Sequence, residues 1–190
     1  MDNPGRAVSI VGIGASAGGV EAFQGFFRAM PSDTGMAFVV ILHLPPDRKS
    51  LLAEILGRWT AMRVLEATEG CLVEANCLYV PPPGVGVTLR SGTLHLHVHA
   101  ADAPHELMLI DLFFNSLATE FNENAVGVVL SGTGNDGTLG LKAIKACGGL
   151  TLAQGANGTF PQHDGMPSSA IAAGVVDIVA PVEALSLIHI

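Results

Sequence analysis

Ser16 and His43 each follow an apolar run, and Asp136 lies in the loop after a third. A serine hydroxyl, an imidazole to take its proton and a carboxylate to orient the imidazole form the set needed for nucleophilic acyl transfer. Ser16 lies in Gly14-Ala15-Ser16-Ala17-Gly18, a G-x-S-x-G pattern that puts a serine on a sharp strand-to-helix turn. Backbone N–H groups at such a helix start can hold an oxyanion. His43 closes the run 37–42 and precedes Leu44-Pro45-Pro46; imidazole suits the role of general base toward a hydroxyl. Asp136 lies in Ser131-Gly132-Thr133-Gly134-Asn135-Asp136-Gly137, a loop tight enough to hold a carboxylate in place. Each residue alone has an ordinary structural reading: a tight turn, a histidine at a loop start, and a cap by Asp136 or Thr138 for the helix that follows. Together they end three different strands.

The elements that must position them follow from hydrophobic periodicity. Residues 7–13, 37–42, 63–66, 77–80, 126–130, 150–154 and 175–179 read as strands, and 18–30, 51–60, 107–120, 139–147 and 168–173 as helices. Residues 85–90 and 93–99 flank Ser91-Gly92, the turn of a two-residue hairpin. The alternation predicts an α/β fold: a doubly wound, mostly parallel open sheet with helices on both faces and one antiparallel hairpin. Ligands of such sheets bind beyond the carboxyl ends of the strands, where Ser16, His43 and Asp136 are expected.

The 190 residues suit a single domain. Nine Lys and Arg against 17 Asp and Glu give a net charge of −8. That balance argues against nucleic acid and against a polybasic membrane anchor. Hydrophobic residues at 49% with charged residues at 14% exclude a disordered chain. No apolar run reaches the length of a membrane span and no leader is visible, so the expectation is a cytoplasmic protein without membrane insertion. Cys71, Cys77 and Cys147 form no C-x-x-C pair and read as reduced, buried thiols. Glycine is in excess at 23 residues; those at 12, 14, 18, 19, 132, 134 and 137 read as clearance around an acyl-transfer site.

Other patterns compete. Gly12, Gly14 and Ala17 also fit the dinucleotide fingerprint G-x-G-x-x-A, which would make the chain an oxidoreductase; the acidic ribose ligand it needs at the end of the second strand is replaced by His43. His95, His97 and His99 alternate on one strand face, where three imidazoles can bind zinc but a solvated hairpin face is the simpler reading. Arg48-Lys49 reads as an exposed pair or a contact to an acidic partner, and His105 precedes the 107–120 helix.

The stretches VGIGASAGGVEA at 11–22, FVVILHLPPD at 38–47, IDLFFNSLA at 110–118, VGVVLSGTGNDGTLGLKAIKACGG at 126–149 and DGMPSSAI at 164–171 resemble the catalytic domain of chemotaxis protein-glutamate methylesterases of the CheB type. The resemblance covers about residues 8–182. It implies a serine hydrolase that cleaves γ-methyl esters of glutamate on chemoreceptors, deamidates glutamine in some members, and needs no metal or organic cofactor. By position, Ser16 resembles the nucleophile, His43 the base and Asp136 the orienting acid. The oxyanion is then expected on backbone N–H groups of Ala17 and of the Thr133–Gly134 turn, with Met166 bordering the cleft. Ala17, Thr133 and Leu42 stand where many members have Thr, Met and Gln; Ala17, Thr133 and the phrase SGTGNDGT look more like the branch fused to a methyltransferase domain. The expectation is one catalytic domain over 1–190, without the family's usual receiver domain, drawn from a parent protein with methyltransferase, receiver or sensor domains. A non-catalytic signalling module of the same fold is the other reading.

Overall fold

Strands apolar on both faces occupy the middle of a parallel sheet, because helices cover them from both sides. A computed structural model describes residues 8–44, 50–98, 108–155 and 160–187. In chain order the elements are β1 (Ile10–Ala15), α1 (Gly19–Ala29), β2 (Ala37–Leu42), α2 (Leu52–Leu56), β3 (Arg63–Glu66), β4 (Cys71–Leu72), β5 (Cys77–Val80), β6 (Val85–Arg90), β7 (Thr93–Val98), α3 (Leu109–Phe121), β8 (Ala125–Val129), α4 (Thr138–Ala146), β9 (Leu150–Gln154), α5 (Gly165–Ala172), β10 (Ile178–Ala180) and α6 (Val182–Leu185). Seven strands form a parallel sheet in the order β10-β9-β8-β1-β2-β5-β3. The central strands β1 and β8 are buried throughout, whereas the edge strands β3 and β10 are half exposed. The predicted doubly wound α/β fold is therefore present.

The hairpin departs from expectation in one respect. β6 and β7 do not join the parallel sheet; with β4, absent from the sequence reading, they make a separate antiparallel sheet ordered β4-β7-β6. That sheet packs Val87, Leu89 and Leu94 into the same core as α3. Ser116 Oγ accepts from the Leu89 N–H at 2.9 Å, and Glu120 accepts from the Ser91 N–H at 2.8 Å, fixing the hairpin to α3. The region 51–60 is helical only at Leu52–Leu56. Of the three free thiols, Cys77 is buried, Cys71 half-buried and Cys147 exposed, so the expectation of buried thiols fails at Cys147.

The two sheet faces are built differently. On one face Val11, Ile13 and Ala15 of β1 and Val126 and Val128 of β8 meet Phe23, Phe26 and Phe27 of α1, with Leu52, Leu56, Val182 and Leu185 from α2 and α6. On the other, side-chain alternation places Ile10, Gly12 and Gly14 of β1 beside Gly127 of β8. A Cβ on Gly12 would lie 2.8 Å from the Phe114 ring and 2.9 Å from the Phe113 ring; on Gly14 it would strike Ile110. On Gly127 it would fall 2.7 Å from Ile144 of α4. These glycines form a trough in the middle of the sheet into which α3 and α4 descend. Gly12 and Gly14 are thus packing residues, and the expectation that they clear space around the nucleophile is corrected. Both lie inside β1 and not in the turn after it, so they cannot cradle a pyrophosphate, and the dinucleotide reading loses its basis.

Candidate active site

The site forms where β2, β1 and β8 end side by side. The β1–β2 register pairs Ala15 with Leu42, so Ser16 and His43 are the next residues on adjacent strands. The His43 N–H donates to the Ala15 carbonyl at 3.4 Å, carrying the pairing into the loop. On the other side the Leu130 N–H donates to Gly14 O, and the Ser16 N–H donates to Ser131 O, both at 2.9 Å. Ser16 is therefore held by its own backbone between two strand ends. Gly18 follows with φ +72°, the left-handed turn that starts α1, and the space of a Cβ there is filled by Ser131 Oγ.

Asp136 is delivered by the loop after β8. Its side chain is 4% exposed, and its Oδ2 lies 2.6 Å from His43 Nε2. Three backbone N–H groups also donate to it: Ile110 to Oδ2 at 3.0 Å, and Asp111 and Gly137 to Oδ1 at 2.9 and 2.8 Å. Two of these are first-turn donors of α3, which have no partner within their own helix. The positive end of α3 therefore faces the carboxylate. α3 reaches this point because the glycine trough lets it sit close to the sheet. With Nε2 turned to Asp136, Nδ1 is the ring nitrogen of His43 left free of that contact. His43, with its side chain 34% exposed, keeps an open side. Among the described residues no hydrogen bond joins Ser16 Oγ to His43; strand register brings them together.

The wall opposite His43 is the loop 131–134. Ser131 Oγ donates to Ala17 O at 2.8 Å and accepts from the His163 N–H at 3.0 Å, while the Ser131 N–H donates to Gln154 Oε1 at 3.0 Å. The Gly132 N–H donates to His163 O, and the Met166 N–H donates to Gly132 O, both at 2.9 Å. Among the described residues the N–H groups of Ala17, Thr133 and Gly134 have no acceptor. Thr133 and Gly134 are exposed. Met166 is corrected: its side chain is fully buried, with its thioether where a Cβ on Gly132 would be. It supports the Gly132 turn from beneath and does not border open space.

Sequence reading missed two residues. Ser131 is the hub just described. Asp111 is 5% exposed and receives the Gly140 N–H on Oδ1 at 2.6 Å, while its Oδ2 is buried without a partner. Burial pushes the Asp111 carboxyl above the usual aspartate range; the Gly140 N–H opposes this and the nearby Asp136 charge reinforces it. The signal available was one acid inside the apolar segment Leu109-Ile110-Asp111-Leu112-Phe113-Phe114.

On the histidine face, the described imidazoles are paired with protein groups. His95 pairs with Glu69 at 2.8 Å and His97 with Thr88 at 2.7 Å. No group of three or more potential ligands occurs among the described residues. His99, Arg48, Lys49 and His105 lie outside the described residues. No helix among the described residues is long and apolar enough to cross a membrane.

Comparison with known proteins agrees with this architecture. Residues 11–187 match the family described as CheB methylesterase. The chain is 36% identical over 179 residues to the Burkholderia orbicola protein-glutamate methylesterase/protein-glutamine glutaminase 3, covering 94% of this chain and 52% of that protein. It is 34% identical over 186 residues to the protein of the same activity name from Moorella thermoacetica, covering 95% and 43%. It thus spans about half the length of these curated relatives. The crystal structure of the Thermotoga maritima CheB methylesterase catalytic domain superposes with a TM-score of 0.85 at 27% identity, covering 96% of this chain and 97% of that one. The strand order, the site at the ends of β1, β2 and β8, and these matches agree: the chain belongs to the CheB methylesterase family.

Proposed function

We propose that this chain is a protein-glutamate methylesterase catalytic domain, with its core at about residues 8–182. It cleaves γ-methyl esters of glutamate on chemoreceptors or related signalling proteins in the cytoplasm, and deamidates glutamine at equivalent positions. The observation that carries this reading is the 2.6 Å contact of His43 Nε2 with Asp136, on the strand end next to Ser16. In a parent protein the domain works beside methyltransferase, receiver or sensor domains.

Ser16 Oγ attacks the ester carbonyl as His43 Nδ1 takes its proton, and Asp136 stabilises the imidazolium that results. The tetrahedral oxyanion accepts from the Ala17 N–H and from the Thr133–Gly134 turn, each donor contributing about 2.7–4 kcal/mol to the transition state. His43 returns the proton to the leaving oxygen and methanol departs. Water, deprotonated by the same Nδ1, then cleaves the glutamyl ester on Ser16 and regenerates the enzyme. With glutamine the leaving group is ammonia. The exposed His43, Thr133 and Gly134 give the site an open rim, which suits a side chain presented by another protein. A cleft of about 380 Å³ lined by Glu54, Glu66, Val80 and Pro81 to Pro83 lies further along this sheet edge and includes none of the three residues.

The test is methanol release from a methylated chemoreceptor fragment, with wild type beside Ser16→Ala. Wild type is expected to release methanol and to be labelled at Ser16 by a serine-directed phosphonate; the variant is expected to do neither while keeping its circular dichroism spectrum. An unlabelled, inactive wild type supports the non-catalytic module instead.

A further inference from the structure

Asp111 and Asp136 stand in a reciprocal relation. Asp136, just before α4, accepts the first-turn N–H groups of α3. Asp111, in the first turn of α3, accepts the Gly140 N–H in the first turn of α4. Each aspartate caps the helix that carries or follows the other. The N-cap positions of both helices, Met108 and Gly137, form no side-chain cap of their own. A Cβ on Gly140 would lie 3.2 Å from the Asp111 Cα, so the two first turns are in direct contact.

The partners of the two carboxyls are unequal. Asp136 has three backbone donors and His43; Asp111 has the Gly140 N–H on Oδ1, with the Gly137 and Leu139 N–H groups acting on it more weakly, and no hydrogen-bond partner on Oδ2. Two buried like charges this close are unfavourable, and the proton goes to the group whose anion is less well solvated by donors. That group is Asp111, at Oδ2.

We propose that Asp111 is a positioning residue, held as a neutral carboxylic acid, which locks the first turns of α3 and α4 together and so fixes Asp136 against His43. The catalytic part of this inference rests on the methylesterase reading; the protonation part does not. It agrees with the direction in which burial moves the Asp111 carboxyl.

Two variants and one spectrum test it. Asp111→Asn keeps an acceptor for Gly140 and mimics the neutral acid, so its kcat should remain within about threefold of wild type. Asp111→Ala removes the acceptor and lets Asp136 shift. Its kcat should fall by up to about 10²-fold, with KM within about twofold and circular dichroism unchanged. The infrared difference spectrum of wild type minus Asp111→Asn at pH 7 should show a protonated carboxyl C=O stretch, whether or not the protein hydrolyses an ester. A carboxylate band in its place overturns the proposal, as does Asp111→Asn losing as much activity as Asp111→Ala, or Asp111→Ala retaining wild-type kcat. An inactive wild type with the protonated band present would refute the methylesterase reading and leave the neutral Asp111 standing.

Discussion

His43 meets Asp136 through Nε2, at 2.6 Å, on the oxygen that also accepts the Ile110 N–H. The orientation of the imidazole is therefore set by an aspartate whose own position is set by a helix N-terminus. Asp136 is anchored in the α3–α4 interface, and His43 reaches toward solvent.

Asp136→Asn should separate orientation from charge. Asparagine offers one acceptor where the aspartate serves three backbone donors and the imidazole, and its amide favours the wrong tautomer of His43. The expected loss in kcat is about 10⁴-fold, as when the acid of a serine-hydrolase triad is replaced by its amide. Stability should fall on the order of 2 kcal/mol from the donors left unpaired. Ester hydrolysis and urea unfolding, measured on the same preparation, check both.

Gly132→Ala probes the wall of the site. The new methyl would overlap the Met166 thioether and come 3.1 Å from the Ser16 Cβ. Overpacking of this kind costs about 1–3 kcal/mol, and the displaced loop should lower kcat more than it raises KM. In a Met166→Ala background the thioether is gone, so the same substitution should cost less. A double-mutant cycle in urea measures the coupling; a coupling of zero would show that Met166 is not what Gly132 accommodates.

Two aspartates should act oppositely on stability as pH changes. Burial alone would push Asp177 up, but Lys145 at 2.6 Å and Thr151 hold it below the ordinary value of 3.8. Its stabilising contribution is present above 3.8 and is lost as pH falls through its lower folded-state value. Burial pushes Asp111 up, so the native state keeps a proton that the unfolded chain has released. Its contribution is full below 3.8 and declines as pH rises toward its folded-state value. Asp177→Asn should therefore weaken the acid dependence of stability below about pH 4. Asp111→Asn should gain on wild type as pH rises above about 4. Urea midpoints across the pH range for the three proteins check both signs, and parallel curves would contradict them.

The sequence by itself determined the order of the seven parallel strands and of α1 to α5, and three candidate residues that follow β1, β2 and β8. Ser16 and His43 stood out as candidates because each follows a short apolar run, and Asp136 because its loop follows a third; runs buried on both faces announce a parallel sheet whose ligand-binding edge is known in advance. Only the tertiary structure decided what the glycines do. Gly12 and Gly14 sit in a motif that reads equally as nucleophile turn or dinucleotide fingerprint, and their meaning depends on Phe113, Phe114 and Ile110 from a helix about a hundred residues away. Burial of Met166 beneath Gly132, the third strand beside the hairpin, and the pairing of Asp111 with α4 are likewise contacts between distant segments. Local periodicity carries no information about them, because it records which face of an element is buried and not which neighbour buries it.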